Sequence, residues 1–186
     1  MLDFSIYPKG EISTIFLNLG ITSFKDAGNW IASLPYRRNS SKVDLKFVFQ
    51  EKCGTCSTKH AILKLLADEN NFEELDLMLG IFKLNHYNAH KISPILQKYN
   101  LQYIPEAHNY LFYKQKIYDF TFPTTQELDF EESLLIQYPI TPYQISDFKI
   151  DAHKNYIKNW LKDHDDIKYS LEEIWQIREL CIKALS

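Results

Sequence analysis

Two cysteines stand three residues apart in the segment "EKCGTCSTKHAILKLLADEN", where Cys53 and Cys56 precede an apolar, helix-like stretch. A cysteine at a helix N-terminus is favoured as a thiolate, because unpaired backbone N–H groups and the helix dipole stabilise the anion. Cys56 is therefore a candidate nucleophile, and its own backbone N–H is a candidate oxyanion donor. The same pair also fits a redox-active Cys-x-x-Cys motif or part of a metal site.

A cysteine nucleophile needs a base and a third group that orients this base. We favour His108 as the base, because Asp119 follows it across a predicted β-hairpin, "AHNYLFYKQKIYDFTF". A two-residue turn at Lys114-Gln115 would place Asp119 opposite Tyr110, and His108 would then be a diagonal neighbour of Asp119 on one sheet face. A three-residue turn would put His108 and Asp119 on opposite faces instead.

These segments resemble the transglutaminase-like cysteine enzymes, in particular small bacterial members. "GTCSTKHAILKLLA" resembles their nucleophile helix, "PEAHNYLFYKQKIYDFT" their histidine strand with a second strand ending in Asp and Thr, and "LPYRRNSSK" an upstream segment. The resemblance covers roughly residues 30–125. It implies that Cys56 is the nucleophile, His108 the general base and then acid, and Asp119 the orienting acid.

The chemistry that the resemblance implies is acyl transfer from an amide through a thioester. Water as acceptor gives a protease or amidase, and an amine gives a transglutaminase; the substrate would be a peptide or small amide, and no cofactor or metal is implied. Tyr110 occupies the position two residues after the histidine, where the family often carries an aromatic residue. The second oxyanion donor stays open between Asn39 and Gln50. Glu106 is a further candidate for lining the cleft, although an exposed side chain is the simpler expectation.

Other interpretations of the same residues remain. A strand ending near Phe49, followed by Cys53-x-x-Cys56 and a helix, would also suit a thioredoxin-like thiol–disulfide oxidoreductase. A non-enzymatic domain on the same scaffold is a further alternative. His60 shares the helix face of Cys56 and is a competing base, without an obvious orienting acid.

A zinc site is the least favoured interpretation. It would combine the cysteine pair with His86 and His90, but the long separation exceeds that of a compact finger. Arg37 and Arg38 are candidates for clamping a substrate carboxylate, and a solvated pair is the simpler expectation. Large apolar side chains and one cysteine on helix stripes are predicted to lie in the core: Trp30, Trp160, Trp175 and Cys181.

The residue patterns predict an α+β fold with a papain/transglutaminase-like core, in which the nucleophile helix packs on an antiparallel sheet. We expect one domain over residues 1–186, with a helical C-terminal extension over roughly 145–186. Predicted elements are a helix after Ser23, a strand or extended segment over Val43–Phe49, a helix over Thr55–Glu69, a strand over Leu75–Asn85, a short helix from Ser93, the hairpin, a helix over Ala152–Lys162 and a last helix capped by Ser170 and Glu173. The segment "TTQELDFEESLL" stays open between loop and helix.

Composition narrows the class of protein. The chain has 186 residues, a net charge of −3 and scattered basic residues, which argues against a nucleic-acid partner. It has no apolar run near the ~20 residues of a membrane span. Three cysteines and no visible signal peptide favour a cytoplasmic location. The sequence does not indicate an oligomeric state.

Overall fold

The protein has an α+β fold in the computed structural model, which describes residues 2–123 and 129–185. In these ranges seven α-helices accompany a four-stranded antiparallel sheet with strand order β3-β2-β1-β4. The helices are α1 (Glu11–Asn18), α2 (Phe24–Ser33), α3 (Phe47–Glu51), α4 (Cys56–Glu69), α5 (Ser93–Lys98), α6 (Asp147–Lys162) and α7 (Leu171–Leu185). The strands are β1 (Asp76–Asn85), β2 (Tyr103–Tyr113), β3 (Lys116–Tyr118) and β4 (Leu134–Ile140).

The chain divides into two compact units. Unit 1 comprises Met1–Leu79, Asn109–Glu127 and Tyr138–Ser146, and unit 2 comprises Gly80–His108, Leu128–Gln137 and Asp147–Ser186. The boundaries fall inside three strands, β1, β2 and β4. The predicted C-terminal extension therefore belongs to the same unit as the first half of β2.

Helix α4 is the centre of unit 1. Its residues from Cys56 to Leu63 are all buried, because α1, α2 and the short 3₁₀ turn Pro142–Gln144 pack around it. The sequence predicts a helix with one apolar stripe, and this expectation is too narrow. The buried surface of α4 also includes the polar residues Lys59 and His60, which are both 0% exposed.

The predicted hairpin forms with the two-residue turn. Leu111 pairs with Tyr118, and Tyr113 pairs with Lys116, in an antiparallel register. Lys114 and Gln115 have φ values of 48° and 61°, which are the left-handed values that a type I′ turn requires. The turn therefore forms without the glycine that usually occupies it.

Unit 2 contains helices α5, α6 and α7. The predicted cap of α7 is present: the backbone N–H of Ser170 donates to Glu173 Oε2 at 2.8 Å, and the Glu173 N–H donates to Ser170 Oγ at 3.3 Å. Helix α7 packs against α5, α6 and the 3₁₀ turn His90–Ile92, and it buries Ile174, Ile177 and Cys181. Burial raises the pKa of the Cys181 thiol to about 11, as expected for a cysteine that acts as a small apolar core residue.

One element prediction is wrong, and one strand is absent from the predicted elements. The alternating segment Val43–Phe49 is not a strand, since helix α3 begins at Phe47 and the alternation of apolar residues reflects a turn and a short helix. Strand β4, over Leu134–Ile140, was not predicted. The ambiguous segment forms a 3₁₀ turn at Glu131–Ser133 before β4, and its residues 124–128 lie outside the described ranges. None of the described helices is long and apolar enough to cross a membrane.

Candidate functional site

Cys56 is the first residue of α4, as the sequence predicts. The turn before it is held by the N–H of Thr55, which donates to Thr58 Oγ1 at 3.1 Å. A Cβ at Gly54 would lie 2.9 Å from Thr58 Oγ1 and 3.0 Å from Lys59 Cγ, so glycine lets the chain pass close to the helix. Cys56 itself is 5% exposed. The geometry supplies the helix N-terminal position that favours a thiolate.

Asn39 organises the loop that leads into α4. Its Nδ2 donates to Cys53 O at 2.9 Å and to Glu51 Oε2 at 3.1 Å, and its Oδ1 accepts from Thr58 Oγ1 at 2.8 Å. Both ends of the Asn39 amide thus contact the chain before and within α4. Asn39 is one of the two candidates for the second oxyanion donor, and its contacts give it a role in shaping the nucleophile loop.

Cys53 lies beside a cation. The Arg37 Nε donates to Cys53 Sγ at 3.4 Å, and this hydrogen bond raises the pKa of Arg37. Arg37 therefore contacts the protein's own thiol, and the simple expectation of a solvated pair with Arg38 is incomplete. All three cysteines are present as thiols. The strand on which the thioredoxin-like comparison depended is helix α3, so that interpretation loses its local structural motif.

Both ring nitrogens of His60 contact backbone groups of unit 1. Its Nδ1 lies 2.7 Å from Cys56 O, and its Nε2 accepts the backbone N–H of Phe120 at 2.7 Å. A carbonyl oxygen at Nδ1 and an N–H donor at Nε2 together assign the neutral tautomer with the proton on Nδ1. His60 is buried and occupied by backbone groups, which disfavours it as a general base.

Lys59 is fully buried beside His60. Its Nζ donates to Leu34 O at 2.6 Å, to Thr121 O at 2.7 Å and to Ala32 O at 3.4 Å. Burial lowers the pKa of Lys59 to about 8, against the raising effect of Asp119, Cys56 and Cys53. The sequence analysis does not single out Lys59. Its place three residues after Cys56, one turn along the same predicted helix, is the signal that could have identified it.

Asp119 follows β3 directly and is held by its own loop. Its Oδ1 accepts the N–H of Thr121 at 2.8 Å and lies 3.3 Å from His60 Nε2. The Thr121 hydroxyl has no hydrogen-bond partner among the described residues, so Thr121 contributes mainly through its peptide groups. Extending the hairpin register by one residue places Asp119 opposite Tyr110, which is fully buried.

Asn109 connects the first turn of α4 to two strands of unit 1. Its Oδ1 accepts from Ser57 Oγ at 3.0 Å, and its Nδ2 donates to Met78 O at 2.9 Å. Ser57, Asn109 and the adjacent Tyr110 are all buried. This side chain therefore fixes the residue after Cys56 relative to β1 and β2. In the sequence, only its place next to His108 points to Asn109.

His108 is the last residue of unit 2 on β2, and it is 5% exposed. Its ring packs edge-on against Phe82 and Phe130, with centroid distances of 6.1 Å and 4.7 Å. On the same strand, His108 and Tyr110 point to the same face, because side chains alternate along a strand. Phe130 lies just after the residues that are not described, and sequence reasoning did not single it out.

Glu106, the candidate cleft residue of unit 2, is buried rather than exposed. Arg178 on α7 donates from Nε to Glu106 Oε2 at 2.7 Å and contacts Oε1 through Nη2. Burial opposes ionisation, but the Arg178 guanidinium holds the pKa of Glu106 below its usual value. The expectation of an exposed side chain is therefore wrong, because Glu106 forms a buried ion pair between β2 and α7.

The remaining sequence candidates have simpler positions. Gln50 is exposed on α3, and His86 and His90 are exposed in the connection after β1. Within residues 2–123 and 129–185, no group of three His, Cys, Asp or Glu side chains has the arrangement of a metal site.

Comparisons with protein-family models, with curated proteins and with solved structures return no match to this chain.

Proposed function

We propose that this protein performs thiol-dependent acyl chemistry on amide bonds in the manner of transglutaminase-like cysteine enzymes. In this proposal Cys56 attacks the amide carbonyl, His108 removes the thiol proton and returns it to the leaving amine, and Asp119 orients the imidazole. The resulting thioester passes its acyl group to water or to an amine. The substrate is a peptide or small amide, and the papain/transglutaminase-like core is part of the proposal.

The hairpin register carries the proposal. The sequence argument assumed a two-residue turn, since a three-residue turn would move the histidine and the acid to opposite faces. The observed pairing of Tyr113 with Lys116 is the register of that turn. This register and the position of Cys56 at the start of α4 are the two local features that the resemblance requires, and they support the proposal.

The contacts of the competing residues also support the proposal. His60 Nδ1 lies at Cys56 O, and its Nε2 accepts the Phe120 N–H and lies 3.3 Å from Asp119 Oδ1, so both of its ring nitrogens are engaged inside the fold. Asn39 and Thr58 fix the backbone around Cys56. A rigid nucleophile turn is what acyl transfer needs, because the attacking sulfur and the oxyanion donor must keep one geometry.

The test is the pH dependence of Cys56 alkylation by iodoacetamide, followed by mass spectrometry from about pH 5 to about pH 9. A thiolate–imidazolium pair gives the wild type a reactive plateau that extends into mildly acidic pH. His108→Ala should lose the plateau, while Cys53→Ser and the control His86→Gln, at an exposed histidine, should keep it. Asp119→Asn should lower turnover about tens-fold to 10⁴-fold on any amide substrate that requires Cys56.

Amide chemistry is tested separately with a peptide mixture and a fluorescent primary amine. Incorporation of the amine or hydrolysis of an amide bond should occur in the wild type and be absent in Cys56→Ser. An alkylation midpoint at the free-thiol value of about 8.5, unchanged in His108→Ala, would refute the proposal. Disulfide reduction that needs both Cys53 and Cys56 would favour the thioredoxin-like alternative instead.

A further inference from the structure

Two consecutive residues of α4 hold the segment that follows β3. His60 Nε2 accepts the N–H of Phe120, and Lys59 Nζ donates to the carbonyl of Thr121. The Thr121 N–H in turn donates to Asp119 Oδ1. Asp119 is thus connected to α4 through its two following peptide groups, one helical turn after Cys56. We name Lys59 and His60 together the α4 clamp.

Lys59 also binds the C-terminal end of α2. Its three donors match three backbone carbonyls, of Ala32, Leu34 and Thr121, and an uncharged amine has only two N–H bonds to offer. The geometry therefore fits the protonated ammonium. A buried ammonium without a carboxylate in hydrogen-bond contact is costly, and the cost is offset here by three carbonyl dipoles and by anionic groups nearby.

We propose that Lys59 is a positioning residue for the proposed acyl chemistry, whose ammonium fixes the Asp119 segment against α4 and favours the thiolate of Cys56. This inference rests on the proposed function, since it assigns Lys59 a part in the same site. The α4 clamp then has two roles divided between its members. His60 supplies a neutral hydrogen-bond acceptor, and Lys59 supplies a hydrogen bond and a positive charge.

The charge argument follows from reciprocity. Asp119, Cys56 and Cys53 raise the pKa of Lys59 through their negative charges, against the larger effect of burial. Coulomb attraction is mutual, so the Lys59 ammonium in turn favours the anionic form of each of these groups. The end of helix α2 contributes carbonyl groups to Lys59, and the neighbouring His60 contacts Cys56 O, the Phe120 N–H and Asp119 Oδ1. With a pKa of about 8, Lys59 carries its charge at neutral pH and loses it above that value.

The experiment compares Cys56 alkylation in the full-length wild type and in Lys59→Met, across the same pH range. We expect Lys59→Met to move the acidic edge of the reactive plateau to higher pH by about one unit, so that alkylation is about tenfold slower below this edge. On the plateau, where Cys56 is a thiolate in both proteins, the two rates should converge. A purely structural role would slow the reaction at every pH, so convergence is the distinguishing observation.

The matched control is Lys64→Met on the same helix. Lys64 pairs with Asp68 at 2.6 Å, and its replacement removes one positive charge from α4 without touching the clamp. We expect its alkylation profile to follow the wild type. Lys59→Arg keeps the charge and should recover most of the reactivity at the acidic edge of the plateau. A Lys59→Met profile that superimposes on the wild type, or that lies below it by a constant factor, overturns the inference.

A second measurement needs no Lys59 variant, so it is informative even if the Lys59 variants do not fold. The Nζ titration of Lys59, followed by NMR of lysine-labelled protein, should shift to lower pH in Cys56→Ser, because the supporting anion is removed. An unchanged Lys59 titration overturns the inference.

His108→Ala separates the two proposals: if it abolishes the acidic plateau while Lys59→Met changes nothing, the proposed function holds and only the role of Lys59 fails. If His108→Ala changes nothing, the proposed function itself fails.

Discussion

At the scale of single residues, the polar side chains of α4 matter more than its apolar ones. Lys59 and His60 are both 0% exposed, a rare position for these residue types. Each is matched to backbone groups, so burial leaves no donor or acceptor of theirs without a partner. Such buried polar contacts specify one geometry, because an alternative packing of α4 would leave them unsatisfied.

The burial of Lys59 predicts a pH dependence of stability. Its pKa falls from 10.5 in the unfolded chain to about 8 in the fold, so the unfolded chain binds more protons between these values. The free energy of unfolding should therefore rise as pH increases from 8 to 10.5, by up to about 3 kcal/mol. Chemical denaturation of the wild type and Lys59→Met across this window measures the difference. A difference between the two proteins that stays constant with pH would contradict the prediction.

At the scale of elements, the hairpin between β2 and β3 sets the register on which the proposed site depends. Its turn residues Lys114 and Gln115 both adopt left-handed backbone conformations. For residues with a Cβ this conformation costs roughly 1–2 kcal/mol each. The register is thus imposed by strand pairing and buried side chains such as Tyr110 rather than by the turn sequence.

The turn should accept a stabilising substitution. Gln115→Gly removes the backbone strain at φ 61°, and we expect the free energy of unfolding to increase by about 1 kcal/mol. Urea denaturation measures this change. The matched control is Gln102→Gly, at an exposed residue outside the left-handed region, which should destabilise by about 0.5–1 kcal/mol. Equal effects of the two glycines would show that turn strain is absent at Gln115.

At the scale of the whole molecule, the C-terminal helices are part of unit 2 rather than an appendage. Helix α7 contacts α5 and α6, and its Arg178 pairs with Glu106 on β2. Arg178 also lies over the Trp175 ring at 5.2 Å, and Trp175 packs against His153, whose Nε2 lies 2.7 Å from Pro105 O. Charged and aromatic groups therefore connect α6 and α7 to the strand that carries His108.

Breaking this ion pair should destabilise unit 2 strongly. Arg178→Met leaves the Glu106 carboxylate buried without its partner, and we expect a loss of about 3–5 kcal/mol. Lys183→Met, at an exposed lysine of the same helix, should change stability by less than about 0.5 kcal/mol.

The same ion pair predicts a pH dependence of stability. The Arg178 guanidinium lowers the pKa of Glu106, so the pair stabilises the fold above pH 4.5 and this stabilisation is lost as pH falls below it. Denaturation of both variants at neutral and acidic pH measures these effects, and similar losses in the two variants would contradict the prediction.

The sequence by itself determined the features that depend on local pattern. The α4 and α7 starts follow from capping residues and apolar periodicity, and the hairpin follows from two aromatic-rich strands around a polar pair. The proposed triad of Cys56, His108 and Asp119 also comes from local motifs, and it stays a prediction. Local signals of this kind act between residues that are close in the chain, so they can be recognised without knowledge of the fold.

Only the tertiary structure decided the features that depend on distant contacts. Alternation predicted a strand before Cys53, but the chain forms α3 there, because apolar alternation over a few residues also fits a turn followed by a short helix. Glu106 forms an ion pair with Arg178, and Lys59 donates a hydrogen bond to the carbonyl of Thr121. The partners in each pair are more than 60 positions apart in the sequence. The sequence marks such residues as polar and predicts exposure. Their burial depends on partners that long-range packing brings together, and a charge is stable in the core only when those partners are present.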